Sequence, residues 1–270
     1  MLVVTLGDLL LDVIVRLAEP PALGADVSAT TSSGAGGQAA NVAAWVVDLG
    51  ASGRCVAKRG EDTAGRLISA ELESLGVELA GPTGGRTGVV VSLVGPDGDR
   101  TMASDRGAAP ELLPDDLDPH WFACDCLHIS GYALLGSPIA SAALRAAELA
   151  RATGARVTVD LAAWPRIRAY GPQEFRRQLE LLAPDVIFAN EPEWEIVGAA
   201  YGIAPTAVVK RGARGALILG RDLLELPAPQ GEVIDATGAG DALAAGFIVG
   251  GPKLAVETAA RCVAKLGAMP

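Results

Sequence analysis

Apolar and polar positions along this chain switch between two periods. Leu2–Leu6 reads LVVTL, a nearly continuous apolar run ended by Gly7, as expected of a strand buried on both faces. Residues 10–16 and 27–33 carry β-branched and apolar residues on either side of Pro20 and Pro21 and read as extended segments. After the glycine loop GAGG, the apolar positions from Gln38 to Leu49 follow a helical period, with Gly50 as the stop. CVAKRG, beginning at Cys55, is a short strand. DTAGRLISAELESLG is an amphipathic helix with Asp62 as its N-cap and Gly76 as its end. TGVVVSLVGPDGDRTMASD holds two strand-like runs around GPDGD, a hairpin pattern. Strand and helix then alternate: CLHISGY, SPIASAALRAAELARATG, RVTVDLA, PQEFRRQLELLA, DVIFAN and the short helix EPEWEIVGAA. TAVVKRGARGALILG reads as two strands around a turn, and helices at about 238–250 and 253–266 close the chain.

Alternating strands and helices imply a mostly parallel central sheet with helices on both faces, an α/β fold. The material at 10–33 and 87–104 does not fit that alternation. It reads as a small separate β-sheet built from two distant insertions and placed as a lid.

Composition narrows the function classes. The chain has 270 residues, 50% of them hydrophobic and 20% charged, enough to bury a large core in one domain. A net charge of −10 argues against a nucleic-acid or anionic-membrane surface, and 4% aromatics leave few stacking platforms for bases. The N-terminus lacks a basic lead-in and is interrupted by Asp8 and Asp12, so it reads as a strand rather than a signal peptide. No run long enough for a membrane span is present. Sparse cysteines, Cys55, Cys124, Cys126 and Cys262, fit a reducing cytoplasm.

The chemistry concentrates in DATGAGDALAAGF. Gly238, Ala239 and Gly240 precede Asp241 and an apolar helix. A helix N-terminus offers unpaired N–H groups and a positive dipole end, and small residues let a phosphate approach the backbone. An ionised Asp241 beside such a turn suits a general base for an attacking hydroxyl. An equally available reading makes Asp235 or Thr237 a helix cap and the glycines packing devices. The Walker pattern GxxxxGK[ST] is absent.

Two separated elements carry a family resemblance. DATGAGDALAAGF resembles the C-terminal D-T-x-G-A-G-D signature of the ribokinase-like (PfkB) carbohydrate kinases, departing from it at Ala236 and Thr237. GGQAANVA, from Gly36, resembles their G-G-x-x-x-N element. The resemblance implies a ribokinase-like fold over the whole chain, with a lid from about 10–34 and 86–105. It also implies ATP- and Mg²⁺-dependent transfer of phosphate to a hydroxyl of a sugar or related polyol, with a monovalent cation as a further candidate cofactor. It makes Asp241 the base and the N–H groups of 238–241 the anion hole. Asp12, Gly36, Gly37 and Asn41 become substrate-binding residues, Lys210, Gly212 and Gly215 ATP-binding ones, and Asn190 with Glu193 the pair that orders Mg²⁺ through water. Pairing of two copies through the lid is a further implication. A nucleoside kinase of the same fold is the alternative; a non-catalytic sugar or nucleotide sensor is more remote.

Other patterns have competing readings. GAGGQA fits a dinucleotide fingerprint, but it follows a polar stretch instead of the first core strand, so an NAD-binding oxidoreductase is disfavoured. NEPE is also a plain helix start, with Asn190 as cap. His120, Cys124, Cys126 and His128 match no common zinc spacing, and CDCLHIS reads as buried strand. Arg106 is either a surface arginine paired with Asp105 or Asp97, or a contact to substrate. Asp160 and Trp164 close a strand and fill core, or border a pocket.

Overall fold

The structure, a computed structural model, describes residues 1–24, 26–97, 99–161, 163–200 and 202–270. Gly98 of the expected hairpin turn and Ala162 near the end of RVTVDLA lie outside the described residues. The apolar run Leu2–Leu6 forms β1, at the interior of a large sheet. Parallel to it on one side runs β4 (Ser52–Val56), followed by β5 (Glu78–Ala80); on the other side run β8 (Cys126–Ser130), β9 (Arg156–Asp160), β10 (Val186–Asn190) and β11 (Thr206–Lys210). Antiparallel β12 (Ala216–Leu219) and β13 (Leu223–Leu226) extend that edge. The order is β13-β12-β11-β10-β9-β8-β1-β4-β5.

Helices cover both faces because each parallel crossover must return over the sheet. One face packs α3 (Ile139–Ala152) and α5 (Pro172–Leu182) on Leu127, Ile129, Val157 and Ile187. The other packs α1 (Gln38–Asp48), α7 (Ala239–Gly250) and α8 (Pro252–Val263) on Val3, Cys126, Phe188 and Val208. α2 (Thr63–Ser74) begins as expected at Asp62, whose carboxylate accepts from Gly65 N at 2.9 Å. The same carboxylate accepts from Thr87 N at 2.9 Å and Thr87 Oγ1 at 2.5 Å, so one residue caps a helix and anchors the start of the second sheet.

That second sheet has four strands, β3-β2-β6-β7: β2 (Leu10–Leu17), β3 (Ala29–Gly36), β6 (Thr87–Val94) and β7 (Arg100–Gly107). The two insertions meet where β2 runs parallel to β6. Two differences from the sequence expectation stand out. The glycines at 34 and 36 are strand, not loop, because Gly36 pairs with Leu10 and Gly34 with Asp12. Short β5 and β13, the helix α4 (Trp164–Tyr170) and the 3₁₀ turns between Ala109 and Phe122 have no periodic signal in the sequence.

Candidate active site

Parallel strands bring their carboxyl ends to one rim, where open α/β sheets bind ligands. Here the rim collects Asp8 just past β1, Ser130 at the end of β8, Asp160 of β9, Asn190 of β10 and Lys210 of β11. The N-termini of α1 and α7 face the same rim and supply the two elements that lie furthest apart in sequence. Asn41, in the first turn of α1, donates from Nδ2 to Oδ2 of Asp241 at 2.7 Å, across 200 residues.

The turn before Asp241 has the geometry an anion needs. Gly238 is the N-cap of α7 in the left-handed region, φ 76°, and a Cβ there would lie 2.6 Å from Ala268 Cα. Only glycine meets both demands. The first-turn amides that follow have no intrahelical carbonyl. A Cβ on Gly240 would sit 3.1 Å from Lys210 Nζ, so an ammonium lies against the turn. Asp241 is pushed up to about 7, chiefly by burial; the Asn41 hydrogen bond and Lys210 act against the rise, Asp160 and Asp12 with it.

Lys210 is held by Asp160, with Nζ 2.7 Å from both carboxylate oxygens. Asp160 is fully buried, and the Lys210 side chain is 15% exposed. Burial works against the charge of Lys210, but Asp160, Glu193 and Asp241 overrule it and raise its pKa above the ordinary value. The sequence left Asp160 open between closing a strand and bordering a pocket; its pairing with Lys210 puts it beside the candidate site. Trp164, by contrast, is not core filler: it is 37% exposed and stacks with Arg168.

Asn190 and Glu193 form a reciprocal capping box on α6 (Glu191–Ile196), with Asn190 Oδ1 accepting from Glu193 N at 2.9 Å and Glu193 Oε2 from Asn190 N at 2.8 Å. Glu193 Oε1 takes Ala163 N at 2.9 Å and Asn190 Nδ2 at 2.8 Å. Among the described residues, no three His, Cys, Asp or Glu side chains converge on a metal-sized site. Glu193 is nonetheless a buried hard-oxygen donor whose Oε2, carrying one hydrogen bond, retains acceptor capacity. That donor set fits a hydrated Mg²⁺ held through water, not a direct protein cage.

The small sheet closes the other side. Asp12 on β2 lies over Gly36, where any Cβ would collide with its carboxylate at 2.1 Å. Burial and Glu71 push the Asp12 carboxyl up to about 6. A cavity of about 400 Å³ opens between Asp12, Ser32, Ser33, Glu71 and the 265–270 segment, and no aromatic side chain lines it. Gly37, at φ 98°, would clash with the Asp8 carbonyl at 2.3 Å if it bore a Cβ. Arg106 does not pair with Asp105 or Asp97: Asp105 binds Arg86 at the surface. Arg106 forks onto Asp8, Nε at 2.6 Å and Nη2 at 2.7 Å, beneath the Tyr132 ring. Asp8, missed in the sequence, had one signal: a second acid in GDLLLD, inside an otherwise apolar segment.

Gly212 and Gly215 turn the chain between β11 and β12, with φ 57° and 84°, and Arg211 N donates to Gly215 O at 2.8 Å. The turn alone accounts for these glycines. His128 and Cys126 are buried in β8. His128 Nδ1 lies 2.8 Å from Thr158 Oγ1, and burial pushes its pKa down to about 3, as expected of a structural residue.

The family model for pfkB family carbohydrate kinases matches residues 2–269. The chain belongs to that family. An ATP-dependent ribose-1-phosphate kinase of Halopiger xanaduensis (strain DSM 18323 / JCM 14033 / SH-6) is 31% identical over 268 residues, covering 91% of this chain and 83% of the relative. Fructokinase-1 of Zea mays is 28% identical over 270 residues, covering 89% and 80%. The crystal structure of adenosine kinase from Sinorhizobium meliloti superposes with a TM-score of 0.87 over 99% of this chain and 95% of the other; at 24% identity it speaks for the fold alone. The fold is ribokinase-like, and the chain is a carbohydrate kinase.

Proposed function

We propose that this kinase transfers the γ-phosphoryl group of ATP to a hydroxyl of a sugar or related polyol, with Asp241 as general base. The observation that carries the reading is the Asn41–Asp241 hydrogen bond, which joins the two diagnostic elements at a helix N-terminus. Phosphoryl transfer asks mainly for positioning and for stabilisation of charge. Asn41 fixes the carboxylate. Asp241 takes the proton of the attacking hydroxyl as the oxygen bonds to phosphorus. The amides of 238–241 and the Lys210 ammonium meet the charge on the phosphoryl oxygens. The glycine turn at 212 and 215 is assigned to the nucleotide. Mg²⁺, when bound, neutralises the triphosphate, and Asn190 and Glu193 would hold its waters.

Asp12, Gly36, Gly37 and Asn41 would orient the acceptor, with Arg106 setting the shape of that wall through Asp8. The small sheet acts as a lid that keeps water from competing as acceptor. Aromatic residues make up only 4% of the chain, favouring a polyol over a nucleobase, which stacking would hold. The relatives active on ribose 1-phosphate and on fructose support the same class. ADP release across pentoses, hexoses, sugar acids, inositols and nucleosides tests this reading. Turnover confined to nucleosides would replace the sugar assignment, and no ADP with any acceptor would reject the kinase assignment.

A further inference from the structure

Strand β7 carries two arginines on its inward face, Arg100 and Arg106, six residues apart and so about 20 Å from each other along the strand. Each reaches a buried carboxylate of the large unit. Arg106 binds Asp8 at the root of the small sheet, two residues before β2 begins. Arg100 binds Asp235 at the far tip, Nη2 to Oδ1 at 2.6 Å. The tip contact is reinforced from β2, on the far side of β6. Arg16 and Arg100 both pair in register with Val94, which places all three on one face, and Arg16 Nη2 lies 3.8 Å from Asp235 Oδ2.

Asp235 is not an ordinary partner. Its side chain is 1% exposed, and it shapes the turn that leads into Gly238. Oδ1 accepts from Thr237 N at 2.9 Å and Thr237 Oγ1 at 2.6 Å, and Oδ2 from Gly267 N at 3.1 Å. Removing the cation from a buried, hydrogen-bonded carboxylate is costly. An anionic phosphate arriving at residues 238–241 would add like charge beside it.

We propose that Arg100, assisted by Arg16, is a positioning residue that latches the tip of the lid to Asp235 and thereby couples lid closure to the shape of the phosphate-accepting turn. The Arg106–Asp8 contact sits at the root and stays made as the lid moves; the Arg100–Asp235 contact spans the opening and must break for the acceptor to enter. The proposal rests on the kinase reading for its catalytic consequence, but the latch itself is a contact that can be tested without turnover.

The test has two arms, each with Arg100→Gln, Arg100→Lys and the control Arg86→Gln, which removes an exposed ion pair from the same sheet. In the first, amide hydrogen exchange of the unliganded protein reads the lid directly. Arg100→Gln exchanges several-fold faster at residues 14–17 and 100–104, Arg100→Lys lies between it and wild type, and Arg86→Gln matches wild type. In the second, Arg100→Gln lowers transfer to the acceptor about ten-fold or more and raises the share of ATP hydrolysed to water. Asp235→Asn gives the same split, and the double variant is no worse than either single one. Wild-type exchange in Arg100→Gln overturns the proposal, as do effects of Arg100→Gln and Asp235→Asn that multiply. If Asp235→Asn does not fold, the graded Gln and Lys series at position 100 decides. Faster exchange with no kinase turnover on any acceptor would reject the kinase reading while leaving the latch standing.

Discussion

Asp241 shows how one residue can be placed at a cost and made useful by it. Burial raises its carboxyl to about 7, while the Asn41 hydrogen bond keeps the rise in check. In its proposed role as general base Asp241 works only when ionised, so kcat/KM is expected to fall as pH drops through about 7, the acid limb reporting the free enzyme. Replacing Asn41 with Ala removes a contact that favours the ionised form, and that limb moves to higher pH. Stability carries the opposite sign. An unfolded Asp ionises near pH 4 and this one near 7, so the native state binds the extra proton between those values and loses stability as pH rises through 7. Asp241→Asn has no such charge to bury. Its melting temperature, compared with wild type, therefore improves from pH 5 to pH 8; a constant difference would contradict the account. Asp12, raised to about 6, adds to the same trend, which is why the comparison is made between variants and not within one protein.

At the scale of elements, the two decisive pieces are a helix start and a helix cap. Gly238→Ala forces a side chain into the left-handed region, about 1–2 kcal/mol unfavourable by itself, and against Ala268. Urea unfolding should show at least that loss, together with weaker nucleotide binding. Asp62→Ala removes the N-cap of α2 and the tie to Thr87; it costs about 0.5–2 kcal/mol in the same assay. Much of this was legible. LVVTL, DVIFAN and the helical runs declare themselves by period, and DATGAGD and GGQAAN by composition at a turn. The short elements β5, β13 and α4 were not, because three to seven residues carry too little periodicity to stand out. Nor were the pairs Arg106–Asp8, Arg100–Asp235 and Lys210–Asp160. Each joins residues 50 or more positions apart, and only the topology, with strand ends gathered on one rim and the small sheet folded over it, brings them together.

Over the whole molecule, a net charge of −10 coexists with a site that must receive a polyanion. The arrangement resolves this locally. Asp160 is matched by Lys210, Asp8 by Arg106, and Asp235 by Arg100 and Arg16, while the helix N-termini add fixed positive ends without adding charge. Lys210→Met removes the ammonium nearest the turn and leaves Asp160 buried without it. ATP KM should rise at least ten-fold, with a loss of thermal stability, whereas Arg145→Ala, at an exposed helix pair, should leave both unchanged. The most direct test of the central claim is the rate of ADP release by Asp241→Asn and wild type at pH 8, with the best acceptor from the sugar and polyol panel. With Asp241 as the base, the variant is expected to be slower by roughly 10²–10⁴-fold with its fold intact by circular dichroism. Equal turnover by the two proteins would contradict it.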